Sequence, residues 1–325
     1  MEWDRIRLEL HTVESFAAEG MSRAEIGRRC ESGELLKLHP GRWVHAARFA
    51  RLHPEQRHLL RIAAVSDASR GSRSVFSHVS AAALHDLPVP RHPLDKVHRS
   101  GLTLRGTTAA SGLVATHDVE VPEGDVCLID GLRVTSLPRT ILDVARSCRP
   151  ETALSVADAA FRRVAAGRRT YDEEAAERLR RELEVRILDL AGGRGVVAAR
   201  RIVALADGRA DRPGESITRL YLARLGFRDL RLQSPVPGPH GTVYACDIGV
   251  EEVPAFVEFD GVGKYVDESM TAGRSPREIV AAEKEREDWI RAVTGRPVVR
   301  VMWPDIASPA SLAAILRRHG IRSPR

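Results

Sequence analysis

Apolar positions in residues 1–50 mark short helices followed by a small hairpin. Ser22 and Glu25 form an S-x-x-E capping box that opens a helix carrying Ile26 and Cys30 inward, and Gly33 ends it. Leu35, Leu36 and Leu38, the Pro40-Gly41 turn, then Trp43 and Val44 predict two short strands. Helical spacing returns at 54–68 and from Ser77 to about Leu87. Strand-like alternation then follows around Val97, 113–116, 126–129 and 132–134, and another helix after Pro138. Thr170 with Glu173 predicts a capped, highly charged helix running to Gly192-Gly193. Beyond Pro213, Ile217, Leu220, Tyr221 and Leu225 share one face of a helix that Gly226 stops, and strands follow at 242–250 and 256–261. Ser275, Pro276 and Glu278 open a helix with Ile279, Trp289, Ile290 and Val293 as its buried stripe. Residues 296–303 read as a buried strand with Trp303 in the core. The class is α/β (α+β), in four expected segments: 1–50, 51–163, a helical connector at 164–212, and 213–325.

The 325 residues suit about two domains. Hydrophobic residues at 43% and charged residues at 29% exclude wholesale disorder. No apolar run is long enough for a membrane span, and Met1-Glu2-Trp3-Asp4-Arg5 does not resemble a secretory signal, so a cytoplasmic location without a membrane partner is expected. Cys30, Cys127, Cys148 and Cys246 form no C-x-x-C pair, which argues against a disulfide framework or a cysteine zinc site. The formal charge of +6 permits a nucleic-acid partner. Aromatic residues at 5% argue against a stacking platform for single strands. Lys37, Lys96, Lys264 and Lys284 are the only lysines among 50 basic residues, so the placement of each is informative.

Helices followed by a hairpin within about 45 residues outline a winged helix, a helix-turn-helix variant that docks on duplex DNA. Its candidate DNA-binding residues are Arg23, Arg28 and Arg29 on the second helix, with Lys37 and Arg42 on the hairpin. His78, His85, His92 and His98 recur at intervals of seven, seven and six. They lack an H-x-x-x-H pair and a cysteine or acid cluster, and read as hydrogen-bonded structural histidines. Gly192-Gly193-Arg194-Gly195 lacks the G-K-S/T of a phosphate loop.

The chemistry concentrates in the hairpin at 242–261. Period-two alternation places Cys246, Ile248, Val250, Val257 and Phe259 on one face, and Asp247, Glu258 and Asp260 together on the other. Neighbouring carboxylates oppose joint ionisation, and a hard divalent cation such as Mg²⁺ or Mn²⁺ removes that penalty. Glu215, at a helix start just upstream, adds a fourth acid.

Gly214-Glu215-Ser216, Asp247, Glu258-Phe259-Asp260-Gly261, the stretch from Ala282 to Asp288, then Val298-Val299-Arg300-Val301 and Trp303 follow a familiar order. Over residues 213–305 the chain resembles the PD-(D/E)XK nuclease superfamily, in the branch similar to very-short-patch-repair endonucleases. The resemblance implies a helix, mixed sheet and helix core, with Glu215, Asp247 and Glu258 as metal ligands. That superfamily's lysine stands two positions after the second acid, where this chain has Asp260; Lys264 and Lys284 are the alternative catalytic cations. The N-terminal half, through Ser77-His78-Val79-Ser80-Ala81-Ala82-Ala83-Leu84-His85 and Arg139-Thr140-Ile141-Leu142-Asp143, resembles the antitoxins of type IV abortive-infection systems. That likeness implies a DNA-binding winged helix joined to a second regulatory domain.

Two functions are therefore expected in competition. One is a metal-dependent endonuclease acting on double-stranded DNA. The other is a non-catalytic DNA-binding regulator, antitoxin-like and with a toxin partner, that keeps a degenerate nuclease domain.

Overall fold

A computed structural model of the chain describes residues 2–68, 74–101, 112–167, 170–261 and 276–324. It is a mixed α/β protein with three sheets. The chain forms two compact units, the first comprising Met1–Val156 with Leu179–Ala204 and the second Ala157–Arg178 with Leu205–Arg325.

The first unit opens with α1 (Glu2–Arg7), α2 (Val13–Ala18), α3 (Arg23–Glu31) and the antiparallel hairpin β1 (Leu35–His39) and β2 (Arg42–His45). Ser22 Oγ accepts the Glu25 amide at 3.2 Å, so the cap forms, while the Glu25 carboxylate pairs with Arg28 and Arg29. Phe16, Ile26 and Leu35 close a small core. Ile6 and Val44 pack with Leu60, whereas Trp3 packs with Ile62, Val65 and Phe76. Each such side chain contributes about 1.5–3 kcal/mol on full burial. The winged-helix-like segment thus shares its cores with residues 60–76.

Next come α4 (Ala46–Arg51), α5 (Pro54–Ala68), β3 (Val75–Phe76), α6 (His78–Leu84), β4 (Val97–Ser100), β5 (Val114–His117), β6 (Val126–Ile129), β7 (Leu132–Thr135) and α7 (Leu137–Ser147). The five strands order as β5-β4-β3-β7-β6. The motifs that carry the antitoxin likeness serve this core. Arg139 binds Asp143 one helical turn away at 2.9 Å and Asp125 at 3.1 Å. His85 Nε2 meets the Thr135 carbonyl at 2.8 Å.

Helices α8 (Pro150–Ala165) and α9 (Glu173–Asp189) contribute to both units, and α10 (Val196–Leu205) follows. The α9 cap is Asp172, whose Oδ1 accepts the Ala175 amide at 2.9 Å, rather than Thr170. Asp is as good a cap as Thr and stands at the helix boundary itself.

The second unit holds α11 (Pro213–Arg224), β8 (Leu230–Pro237), β9 (Val243–Val250), β10 (Ala255–Phe259), α12 (Pro276–Thr294), β11 (Val298–Val301) and α13 (Pro309–Arg318). The sheet order is β11-β10-β9-β8; β9 is antiparallel to both β8 and β10, and β11 is parallel to β10. α12 packs through Ile290 on Phe256, Val298, Cys246 and Val236. On α11, a Cβ at Gly214 would lie 2.2 Å from the Phe259 ring, so only glycine lets that helix start approach β10.

Two expectations are corrected here. Trp289 and Val293 are 40% and 48% exposed and Ile279 lies outside the described side chains, so Ile290 is the buried member of the expected stripe among the described residues. Trp303 is 39% exposed and meets Phe259 edge-on at 5.1 Å. The strand ends at Val301, where Met302 donates its amide to Asp305 Oδ2 and the chain turns away.

Candidate active site

The β9–β10 hairpin pairs Ile248 with Val257, Gly249 with Phe256 and Val250 with Ala255. Continued one step, this register sets Asp247 opposite Glu258. The ladder changes there, and the Phe259 amide donates to Asp247 Oδ2 at 2.8 Å. On the other flank, β8 pairs Leu232 with Ile248 and Ser234 with Cys246. Gln233, at φ +47°, and Asp247 therefore lie at an unpaired step. Strand β9 changes face across this step. Cys246 packs with Phe256 and Val298 on the α12 side, so it does not share the face of Ile248 as alternation predicts.

Asp247, Glu258 and Asp260 line one small recess of about 20 Å³, with Phe259, Glu283, Arg286 and Arg300. Glu258 is buried, and its Oε1 accepts from Arg286 Nη2 at 2.5 Å. Arg300 reaches Glu283 at 3.0 Å, Glu287 at 2.9 Å and Asp260 at 3.9 Å. Asp260 Oδ1 is buried without a hydrogen-bond partner among the described residues. Burial raises the Glu258 carboxyl above its ordinary range, opposed by Arg286 and reinforced by Asp247 and Glu283. The neighbouring Cys246 thiol is pushed up to about 12, by burial and then by Glu258.

Glu215 comes from α11 and is 3% exposed. Its Oε2 accepts the Asp211 amide at 2.9 Å. Burial, and secondly the charge of Asp247, push its carboxyl up to about 8, so it is mostly protonated at neutral pH. Asp247 thus interacts electrostatically with Glu215 and with Glu258.

The cations lining the recess, among the described residues, are arginines. Lys284 is exposed on α12 and does not line it, and Lys264 lies outside the described residues. Arg286, Arg300 and Glu283 were missed by the sequence reading. The signal for two of them was present, because Glu283, Arg286, Glu287 and Ile290 repeat at the i, i+3, i+4, i+7 spacing of the inward face. The donors fit Mg²⁺ or Mn²⁺ in chemistry, being hard carboxylate oxygens, and Asp260 Oδ1 offers an oxygen that no described donor engages. Among the described residues no three acids bring one oxygen each within 4.8 Å of one another, and Glu258 is engaged by Arg286, so these acids would have to draw together to hold an ion.

In the N-terminal segment, Arg23 and Lys37 are exposed and hold no ion pair among the described residues. Arg28 pairs with Glu25, and Arg29 with Glu25 and Glu34. Arg42 reaches Asp67 at 3.4 Å and donates to the Gly41 carbonyl at 2.8 Å. Three of the five candidate DNA contacts are therefore partly neutralised within the chain.

No protein-family model matches the chain. It is similar to two uncharacterized proteins of Mycobacterium tuberculosis, MT2308 of strain CDC 1551 / Oshkosh and Rv2248 of strain ATCC 25618 / H37Rv. Each is 28% identical over 305 residues, which span 92% of this chain and 97% of the relative. No described helix is long and apolar enough to cross a membrane. The likeness to the mycobacterial proteins thus runs through both compact units and not through the carboxylate-bearing one alone.

Proposed function

We propose that the protein is a metal-dependent DNA endonuclease whose C-terminal unit hydrolyses phosphodiester bonds and whose winged-helix-like start engages the duplex. The observation that carries this reading is the position of Asp247, opposite Glu258 in the hairpin register and electrostatically coupled to the buried Glu215. The element order of helix, antiparallel meander, helix and parallel strand supports it, as does the resemblance to PD-(D/E)XK nucleases.

Asp247, Glu258 and Glu215 would hold the Mg²⁺ or Mn²⁺. The ion would supply charge neutralisation at the scissile phosphate and its leaving oxygen. Glu215, whose carboxyl burial and the charge of Asp247 push up to about 8, would ligate as its carboxylate, the charge of the ion offsetting the repulsion from Asp247. Arg286 and Arg300 present guanidinium donors that suit phosphate oxygens.

A second reading is favoured by the Arg286–Glu258 pair and by the absence of lysine from the described recess lining. In it the protein is a DNA-binding, antitoxin-like regulator with a toxin partner, and the nuclease-like unit is a scaffold. Plasmid nicking with Mg²⁺ or Mn²⁺ separates the two. The endonuclease reading expects cleavage by wild type and at least a hundredfold less by Asp247→Ala purified in parallel. Equal cleavage by both proteins removes the site, and binding without cleavage on matched and mismatched duplexes selects the regulator.

A further inference from the structure

The first unit gathers three histidines, of which sequence spacing set aside His78 and His98. His78 stands where β3 passes into α6, His98 lies in β4, and His117 ends β5. The parallel register aligns His98 with Ala115 and Ser100 with His117, so both histidines project from one face of the sheet. His98 Nδ1 lies 3.0 Å from His117 Nε2, and the His78 ring stacks on His117 with centroids 3.7 Å apart. One ring nitrogen from each falls within 4.8 Å of the other two, and among the described residues this is the one such histidine, cysteine or acid group. His117 was not singled out by sequence because it lies 39 residues from His78, beyond any local ligand spacing.

We propose that His78, His98 and His117 form a binding site for a divalent transition-metal ion, with Zn²⁺ as its preferred occupant. Tetrahedral zinc with bonds of about 2.0–2.1 Å sets two imidazole nitrogens about 3.3 Å apart, close to the separation of His98 and His117. Three imidazoles without thiolate or carboxylate suit zinc, copper or nickel and are poor ligands for Mg²⁺. The site is therefore chemically distinct from the carboxylate recess. Its backbone is also specialised, since His78 holds φ at +53°, a left-handed conformation that a non-glycine residue keeps where the surroundings demand it. A supporting shell is in place, with Ser77 Oγ 3.0 Å from His78 Nδ1 and accepting from Ser100 Oγ at 2.8 Å. Burial, the largest cause for each ring, holds all three imidazoles in the neutral form that ligates metal. The nearby Arg139 is matched by Asp143 and Asp125. All three histidines are partly exposed. His78 would join the ion by turning its ring out of the stack on His117.

The test uses the full chain, stripped with a chelator and dialysed against Zn²⁺. Wild type is expected to take up one zinc per chain, and His98→Ala and His117→Ala to bind at least tenfold more weakly. Circular dichroism checks that both variants are folded. A His117→Cys variant loaded with Co²⁺ is expected to show a thiolate-to-cobalt charge-transfer band that wild type lacks, which places residue 117 on the metal without depending on a truncated side chain. Failure of wild type to bind zinc overturns the proposal, as does retention of zinc by both alanine variants or absence of the charge-transfer band. Loss of zinc in Asp247→Asn with retention in the histidine variants also overturns it, because the ion then belongs to the carboxylates.

Discussion

Glu215 links the stability of the protein to pH. Its carboxyl keeps a proton up to about pH 8 in the folded chain and loses it near 4.5 in the unfolded one. Between these values the folded state binds more protons, so the stabilisation is complete below about 4.5 and is lost as pH rises through 8. Glu215→Gln removes the ionisable group and keeps an oxygen for the Asp211 amide. In urea unfolding, the variant is expected to lie close to wild type near pH 5 and to exceed it by several kcal/mol near pH 8.5, since each pH unit between 4.5 and about 8 is worth about 1.4 kcal/mol. A constant difference across that range would mean that Glu215 does not titrate there. Arg286→Met leaves Glu258 buried without its guanidinium, and a loss of about 2–4 kcal/mol is expected on thermal or chemical unfolding. If Arg286 serves only the fold, stability and DNA binding should change together; if it contacts phosphate, binding should fall further than stability accounts for.

Between elements, the second unit depends on one buried ion pair and one glycine. Asp158 of α8 receives both hydrogen bonds from Arg219 Nη2 of α11, at 2.9 and 2.8 Å, and also the Asp207 amide at 2.8 Å. Both side chains are almost wholly buried. Asp158→Ala strands the guanidinium and is expected to cost about 3–5 kcal/mol, while Asp158→Leu with Arg219→Met should recover most of that loss. A double variant as unstable as the single one would show that the Asp207 amide bond to Asp158 and the Leu205 carbonyl, to which Arg219 Nη1 donates, matter more than the pair. Gly214→Ala drives a methyl into the Phe259 ring and should destabilise by about 1–3 kcal/mol, with part restored by Phe259→Leu.

Elements with an undiluted period were legible in the sequence. The predicted helix at 54–68 coincides with α5, and the expected strands near 126–129 and 132–134 coincide with β6 and β7. Strand β8 was not foreseen, because Pro235, Pro237 and the left-handed Gln233 interrupt its alternation; prolines are tolerated there since β8 is the sheet edge. Asp247, Glu258 and Asp260 could be placed in one recess from period two alone. The face change at Asp247 could not, because it coincides with the unpaired step at the left-handed Gln233 on a neighbouring strand. Arg300 and His117 were invisible for a related reason: their partners are distant in sequence and local spacing carries no information about them.

At the scale of the whole molecule, DNA engagement cannot be tested by removing residues 1–50. Trp3 and Ile6 lie in cores completed by Ile62, Val65 and Leu60, so truncation would open those cores and report on folding. Charge reversal at the surface avoids this. Arg23 and Lys37 are exposed and form no ion pair among the described residues, whereas Arg28, Arg29 and Arg42 are already engaged by Glu25, Glu34 and Asp67. Residues 1–50 carry eight basic and eight acidic side chains, so attraction to DNA must come from the placement of these two cations rather than from net charge. Arg23→Glu with Lys37→Glu is expected to weaken duplex binding at low salt and to reduce the slope of log affinity against log salt by about 2, since each phosphate that the protein neutralises adds about 0.9 to that slope. The melting temperature should stay within a few degrees of wild type, since neither side chain is part of a core. Unchanged affinity and slope in a folded variant would remove α3 and β1 from the interface and leave the arginines of the C-terminal recess as the phosphate-binding groups to test next.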